Sequence, residues 1–200
     1  MTIAVALIAY LIGSISFAVV VSRALRLPDP RSYGSKNPGA TNVLRTGKKV
    51  AAALTLLGDG AKGWLAVFLT ETIFGSAVVP SYKMSLVAIA VVVGHMYPVF
   101  HRFQGGKGVS TTLGVLLAIN VWLAAGTAAT WVIIALFFHI SSLAALIAAV
   151  SAPLFCYLLY GLHPFTGAVG VIALLLIWRH KSNLKNLLAG TETRIGNRHA

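Results

Sequence analysis

Carboxylates are nearly missing from this chain. Asp29, Asp59, Glu71 and Glu192 are the only four among 200 residues, against 16 lysines and arginines, and the formal charge is +12. They are far apart along the chain, which argues against a catalytic pair of carboxylates. So few acids also argue against a metal site, since the six histidines are scattered and none forms a His-x-x-x-His pair. His139 and His163 read as interface residues at turns, and His95 and His101 flank a break at Tyr97-Pro98. Cys156 is the single cysteine, so no intramolecular disulfide can form. Nucleophile signatures are missing as well. The chain has no Gly-x-Ser-x-Gly elbow and no histidine followed five residues later by aspartate. No basic segment precedes the first apolar run, Ile3 to Val21, and Arg23 and Arg26 follow it. That order is wrong for a cleaved signal peptide and reads as a retained first span.

What the chain has is apolar surface. It is 58% hydrophobic and only 10% charged, with a mean hydropathy of +0.84. A soluble domain of this size could not hide that much. A basic soluble protein would point to nucleic acid. Here the cations lie between apolar spans, so a membrane surface or an anionic substrate is the better reading and no nucleic-acid partner is expected.

Hydropathy places a second span at about Val50 to Phe74 and a third at about Met84 to Phe100. The stretch from Val109 to Trp178 is almost uncharged and interrupted by turn signals at Ala124-Ala125-Gly126, at "HISS" (His139 to Ser142) and at "GLHP" (Gly161 to Pro164). Two crossings would each far exceed the roughly 20 residues a span needs. Four fit if some are short, and the pair around Gly126 is expected to be the shortest. On this path fourteen of the 16 cations fall on one side, with Lys83 on the other and Lys62 inside the second span. The positive-inside rule makes that side cytoplasmic. The expectation is an all-α, polytopic integral membrane protein of about seven transmembrane helices. Its N-terminus is outside, its C-terminus is cytoplasmic, and residues 1–200 form a single domain.

Three polar, basic segments then meet one membrane face: "GSKNPGATNVLRTG" (Gly34 to Gly47), "GHMYPVFHRFQGGKGVST" (Gly94 to Thr111) and "RHKSNLKNLLAGTETRIG" (Arg179 to Gly196). Topology and attraction to anionic headgroups account for Arg23, Arg26, Arg198 and much of the tail. They do not account for the glycines and asparagines. "GGKG" leaves backbone N–H groups open around a lysine just before a helix, an arrangement that can cradle phosphate. It is not a Walker loop, because Gly108 follows Lys107 and His101 stands where the first glycine should be. Asp59 and Lys62 in "GDGAKG" share a helix face inside the second span. They read either as a self-neutralising structural pair or as Lys62 facing a cytoplasmic cavity with Asp59 orienting it. Many cations and almost no base suit a polyanionic, phosphorylated substrate whose electrophile is already activated.

The stretches "GSISF", "YGSKNPGATNVLRTG", "GDGAKGW", "GHMYPVFHRFQGGKGVSTTLG" and "WRHKSNLKNLLAGTETRIG" resemble the bacterial acyl-phosphate:glycerol-3-phosphate acyltransferases, the PlsY family, over essentially the whole chain. The resemblance implies a multi-pass enzyme of the bacterial inner (cytoplasmic) membrane with its active site facing the cytoplasm. It would transfer an acyl chain from acyl phosphate to the 1-hydroxyl of glycerol 3-phosphate. The products would be lysophosphatidic acid and inorganic phosphate, and the step would be the first acylation of phospholipid synthesis. No metal or cofactor is implied, and the partners are the two substrates and membrane lipid.

By the same resemblance the essential serine and arginine of the first motif fall on Ser35 and Arg45. Lys36, Asn37, Gly39 and Asn42 of that loop are substrate-binding candidates. The glycines associated with glycerol 3-phosphate fall on Gly105, Gly106 and Gly108, around a catalytic Lys107. His180 and Asn183 match the important histidine and asparagine of the third motif. Glu192 matches its structural glutamate, and Asp59 is placed with it as structural. Lys62 is added as a binding cation. In "HISS" only Ser141 aligns with a longer, more basic family segment. Ser35 reads as a positioning group, with a nucleophilic role as the alternative. A transporter of phosphorylated metabolites would also want cavity-facing cations, but no convincing internal repeat is present. A structural lipid-binding protein is a third reading. No dominant Gly-x-x-x-Gly face stands out, so a monomer is expected.

Overall fold

The computed structural model describes residues 2–74 and 81–195. Expectations for the tail from Gly196 onward, including Arg198, lie outside the described residues, which are all helix and loop. In chain order the helices are α1 (Thr2–Gly13), α2 (Phe17–Ala24), α3 (Ala40–Leu44), α4 (Lys49–Phe74), α5 (Ser81–Met96), α6 (Val109–Ile119), α7 (Val121–Phe138), α8 (Ser141–Tyr160), α9 (Pro164–Arg179) and α10 (Lys181–Leu188). A single 3-10 turn, Val99–His101, follows α5. Among the described residues, five segments are long and apolar enough to cross a membrane: α1 with α2, α4, α5 with the 3-10 turn, α7 and α8. Helices α6 and α9 are apolar but shorter, at 11 and 16 residues.

The turns at "HISS" and "GLHP" fall where the sequence puts them. The third does not. The break after α6 lies at Asn120, whose Oδ1 accepts from the N–H groups of Trp122 (2.8 Å) and Leu123 (3.1 Å). An asparagine cap satisfies two otherwise orphaned donors, which Ala124-Ala125-Gly126 cannot do. Gly126 instead sits inside α7, where a Cβ would come within 3.3 Å of the Phe155 ring on α8. Of the four helices between Val109 and Arg179, α6 is the shortest, but α7, at 18 residues, is longer than α9.

Apolar helices in lipid gain little from hiding apolar surface from one another, so close backbone approach at small residues holds them together. Helices α1 and α5 meet at Gly13 and Gly94. A Cβ on either would collide with a carbonyl of the other helix, that of Val91 or Tyr10. Helices α4 and α6 meet the same way, Gly63 against the Thr111 carbonyl and Gly114 against that of Gly60.

The first span is broken at Ser14-Ile15-Ser16, which strands backbone groups in an apolar setting. The charges of α4 take them up. Lys62 Nζ donates to the Ile15 carbonyl at 2.6 Å and pairs with Asp59 Oδ1 at 2.7 Å. Asp59 Oδ1 also accepts from the Phe17 N–H at the start of α2, at 3.4 Å. His95 of α5 brings Nδ1 to 3.6 Å from the same oxygen.

Candidate active site

The loop from Pro30 to Arg45 is organised around one buried side chain. Asn42 donates to the carbonyls of Pro30 (2.7 Å) and Tyr33 (3.2 Å), and its Oδ1 accepts from the Ser35 N–H at 3.0 Å. Gly34 adopts φ +54°, and a Cβ there would strike Asn42 Oδ1. The loop thereby presents Ser35, Asn37 and Arg45 on one side. Ser35 Oγ makes no hydrogen bond with a described residue.

The "GGKG" turn is held from behind. The Gly106 N–H donates to the His95 carbonyl at 3.1 Å. A Cβ on Gly106 would run into the His95 ring, and one on Gly105 into the His95 carbonyl. These two glycines are small because the chain passes over α5 without clearance. Lys107 projects forward, and its Nζ donates to Asn183 Oδ1 at 2.6 Å. Gly108, at φ +88°, caps the start of α6.

The tail closes the third side. Asn183 of α10 donates Nδ2 to Glu192 Oε1 at 2.6 Å, and Ser142 Oγ donates to the same oxygen at 2.7 Å. Arg45 reaches across to Thr193 Oγ1 at 2.9 Å. The Ile195 N–H donates to the His139 carbonyl, so the "HISS" turn is where the tail docks. His180, at the elbow between α9 and α10, is buried with Nδ1 2.7 Å from the Leu176 carbonyl. Burial pushes its pKa down to about 4, so at neutral pH Nδ1–H donates and Nε2 is a lone-pair acceptor. Burial also lowers Lys107 to about 8. Glu192 opposes that shift, and the charges of Arg179 and Arg45 add to it.

These groups surround one cavity of about 690 Å³. Its polar end carries Ser35, Asn37, Arg45, Lys107, Asn183 and Glu192. The rest is a mostly apolar groove, with Asp59, His95, Thr112 and Thr127 also on its lining. Its floor is a stripe of alanines on α8 (Ala145, Ala148, Ala149 and Ala152), and its walls come from α6, α7 and α9, including Leu113, Trp131 and Ile172. Among the described residues no three His, Cys, Asp or Glu side chains group as a metal site.

Comparison with known proteins decides the family. A family model described as glycerol-3-phosphate acyltransferase matches residues 3–190. The chain belongs to the glycerol-3-phosphate acyltransferase family. It is 60% identical to the glycerol-3-phosphate acyltransferase of Ralstonia nicotianae, the match covering 98% of this chain and 94% of that one. It is 62% identical to that of Cupriavidus pinatubonensis, over 96% and 95%. Crystal structures of PlsY (YgiH), an integral membrane glycerol 3-phosphate acyltransferase, share the fold. The glycerol 3-phosphate form gives a TM-score of 0.90 at 37% identity, covering 98% of this chain and 96% of that one. The lysophosphatidic acid form gives 0.89 at 37%, covering 98% and 95%. The chain is thus an all-helical, polytopic integral membrane protein of PlsY type.

Set on this fold, most of the sequence candidates converge. Ser35, Arg45, Lys107, His180 and Asn183 all line the cavity, as do Asn37, Gly39, Asn42, Gly108 and Ser141. Four do not. Of the two readings of Asp59 and Lys62, the structural pair is the one found, and Lys62 does not serve as a cavity cation. It is only 3% exposed and spends its ammonium on Ile15 and Asp59, while Asp59 reaches the cavity wall. Lys36 sits at φ +54° on the outer, exposed side of its turn. Gly105 and Gly106 lie behind the cavity, and the Gly106 N–H that was to meet phosphate is already bonded. Sequence reasoning missed Ser142, one residue after the serine it chose, and Thr193, the partner of Arg45. Both sit in quoted motifs, but only the folded tail shows what they touch.

Proposed function

We propose that this protein transfers an acyl chain from acyl phosphate to the 1-hydroxyl of glycerol 3-phosphate, releasing lysophosphatidic acid and inorganic phosphate. The observation that carries the reading is a single cavity whose cationic, hydrogen-bonding end runs directly into an apolar groove. That shape fits a molecule with a phosphorylated head and a hydrocarbon tail, and the family supplies the acceptor.

Arg45 and Lys107 neutralise the substrate phosphates, Arg45 through a planar fork and Lys107 as a point charge. Ser35 Oγ and Asn183 fix substrate oxygens. The acceptor hydroxyl oxygen attacks the acyl carbon, the bond from that carbon to the phosphate oxygen breaks, and phosphate leaves with the electron pair. A phosphate oxygen takes the hydroxyl proton, because His180, with a pKa of about 4, is a weak base and serves better as an acceptor that orients the hydroxyl. No hydrogen-bonded base accompanies Ser35 among the described residues, which favours direct transfer over an acyl-enzyme. Residues 1–200 act as one domain with seven crossings of the bacterial inner membrane, the N-terminus outside and the cavity's polar end toward the cytoplasm.

The test is phosphate release by purified protein in detergent. Palmitoyl phosphate with glycerol 3-phosphate is expected to release phosphate only when both are present, and palmitoyl-CoA is not expected to replace the donor. Equal turnover with palmitoyl-CoA would overturn the donor assignment.

A further inference from the structure

Arg179 has no part in the chemistry above, yet it touches the turn that carries Lys107. Its Nη2 donates to the Gly105 carbonyl at 2.8 Å and its Nε to the Gly106 carbonyl at 3.2 Å. The guanidinium lies over the Tyr97 ring, 5.2 Å from its centroid. Tyr97 is itself fixed, its carbonyl accepting from Tyr10 Oη of α1 at 2.8 Å. On the other side of the turn the His95 carbonyl takes the Gly106 N–H. The two glycines are therefore clamped between α5 and the end of α9. Four residues beyond Arg179, Asn183 holds Lys107 Nζ. One helical elbow thus grips both the backbone and the side chain of the same turn.

We propose that Arg179 is the positioning residue for Lys107, fixing the Gly105–Gly106 backbone so that the ammonium enters the cavity opposite Asn183. A simpler role is available to any cation at the cytoplasmic end of a membrane helix: matching the positive-inside rule and the helix dipole. Lysine would fill that role equally well. It cannot reproduce two parallel donors from a planar group stacked on an aromatic ring. The distinction is one of geometry, and Arg179→Lys isolates it.

Arg179 is also one of the charges that set Lys107. The groups facing that lysine are Glu192, Arg45, Arg179, His180 and Asn183, of which Glu192 favours the ammonium and the two arginines oppose it. Activity that needs the ammonium declines as pH rises through the lysine's pKa. Removing the Arg179 charge raises that pKa and moves the alkaline limb upward. Keeping the charge as lysine leaves the limb in place.

The proposal rests on the donor reading above, so two readouts are paired. One is kcat and KM against pH with palmitoyl phosphate. The other is calorimetric binding of glycerol 3-phosphate against pH, which needs no donor. A wild type that binds but does not turn over would defeat the donor assignment, and the binding limb would still decide this one. For Arg179→Lys, kcat/KM is expected to fall by about tenfold or more with unchanged thermal unfolding, the scale of a misplaced contact. For Arg179→Gln a similar loss is expected, with the alkaline limb displaced to higher pH. Full rescue by lysine, or an unmoved limb in Arg179→Gln, would overturn the role. Should either arginine variant fail to fold, Tyr97→Leu decides. It removes only the ring beneath the guanidinium, and a several-fold loss with an unmoved limb is expected, whereas wild-type kinetics would count against the clamp.

Discussion

Two clusters of charge in one bundle are engaged in opposite ways. In the first, Asp59, Lys62 and His95 sit within the membrane helices, and the Asp59–Lys62 pair is fully engaged with the broken first span. In the second, Arg45 and Lys107 stand at the cavity, each side chain tied among the described residues by one hydrogen bond to a neutral side chain, Thr193 or Asn183. A lysine that satisfies a stranded carbonyl and a carboxylate has little left for a ligand. A lysine or arginine held by one neutral partner is oriented and still charged toward its surroundings. Under the proposed function, what separates a structural cation from a binding cation is the account of its hydrogen bonds, not its distance from the cavity.

The largest expected effect is at Arg45. Arg45→Lys keeps the charge and loses the fork, and the rate is expected to fall by about 10²-fold or more, the scale of a lost electrostatic contact to the transition state. Steady-state kinetics checks it, and near-normal kcat would mean that Arg45 supplies charge alone. Ser35→Ala is expected to leave measurable turnover. Intact-mass spectrometry of wild type mixed with acyl phosphate alone is expected to show no adduct, and an acyl-Ser35 that forms and discharges at the catalytic rate would instead establish a covalent route.

A smaller, directional effect belongs to Glu192. Its charge favours the Lys107 ammonium. Glu192→Gln is expected to lower that pKa and bring the alkaline limb to lower pH, opposite in sign to Arg179→Gln. A limb that stays fixed in both variants would remove Lys107 as the titrating group. The smallest effect concerns the groove. Ala152→Leu fills the far end of the alanine stripe and is expected to shift preference toward shorter acyl phosphates, with little change for the shortest. An unchanged chain-length profile would place the tail elsewhere.

Much of this was legible beforehand. Apolar runs and loop charge give the helices, because spans in lipid must be long and uncharged. The motif residues converge on one cavity. What stayed hidden depends on partners distant in sequence. Gly106 reads as an open phosphate cradle until the His95 carbonyl and ring are placed against it. Lys62 reads equally as half of a structural pair or as a cavity cation until the break at Ser14–Ser16 shows which carbonyl it must satisfy. The cap at Asn120 was readable in principle, since asparagine before an apolar run is a start signal, but the small residues at Ala124–Gly126 look more like a turn. The smallness of Gly126 instead serves packing against Phe155.

The contrast between the two clusters is tested most directly by Lys107→Met beside Lys62→Met, each measured for thermal unfolding and for calorimetric binding of glycerol 3-phosphate. Lys107→Met is expected to unfold like wild type and to bind at least about tenfold more weakly, the size of a lost charged contact. Lys62→Met leaves Asp59 buried without its cation and is expected to lose about 3–5 kcal/mol of stability. A Lys107→Met protein that binds as wild type does, or a Lys62→Met protein that is fully stable yet fails to bind, would contradict the assignment of one cluster to the ligand and the other to the fold.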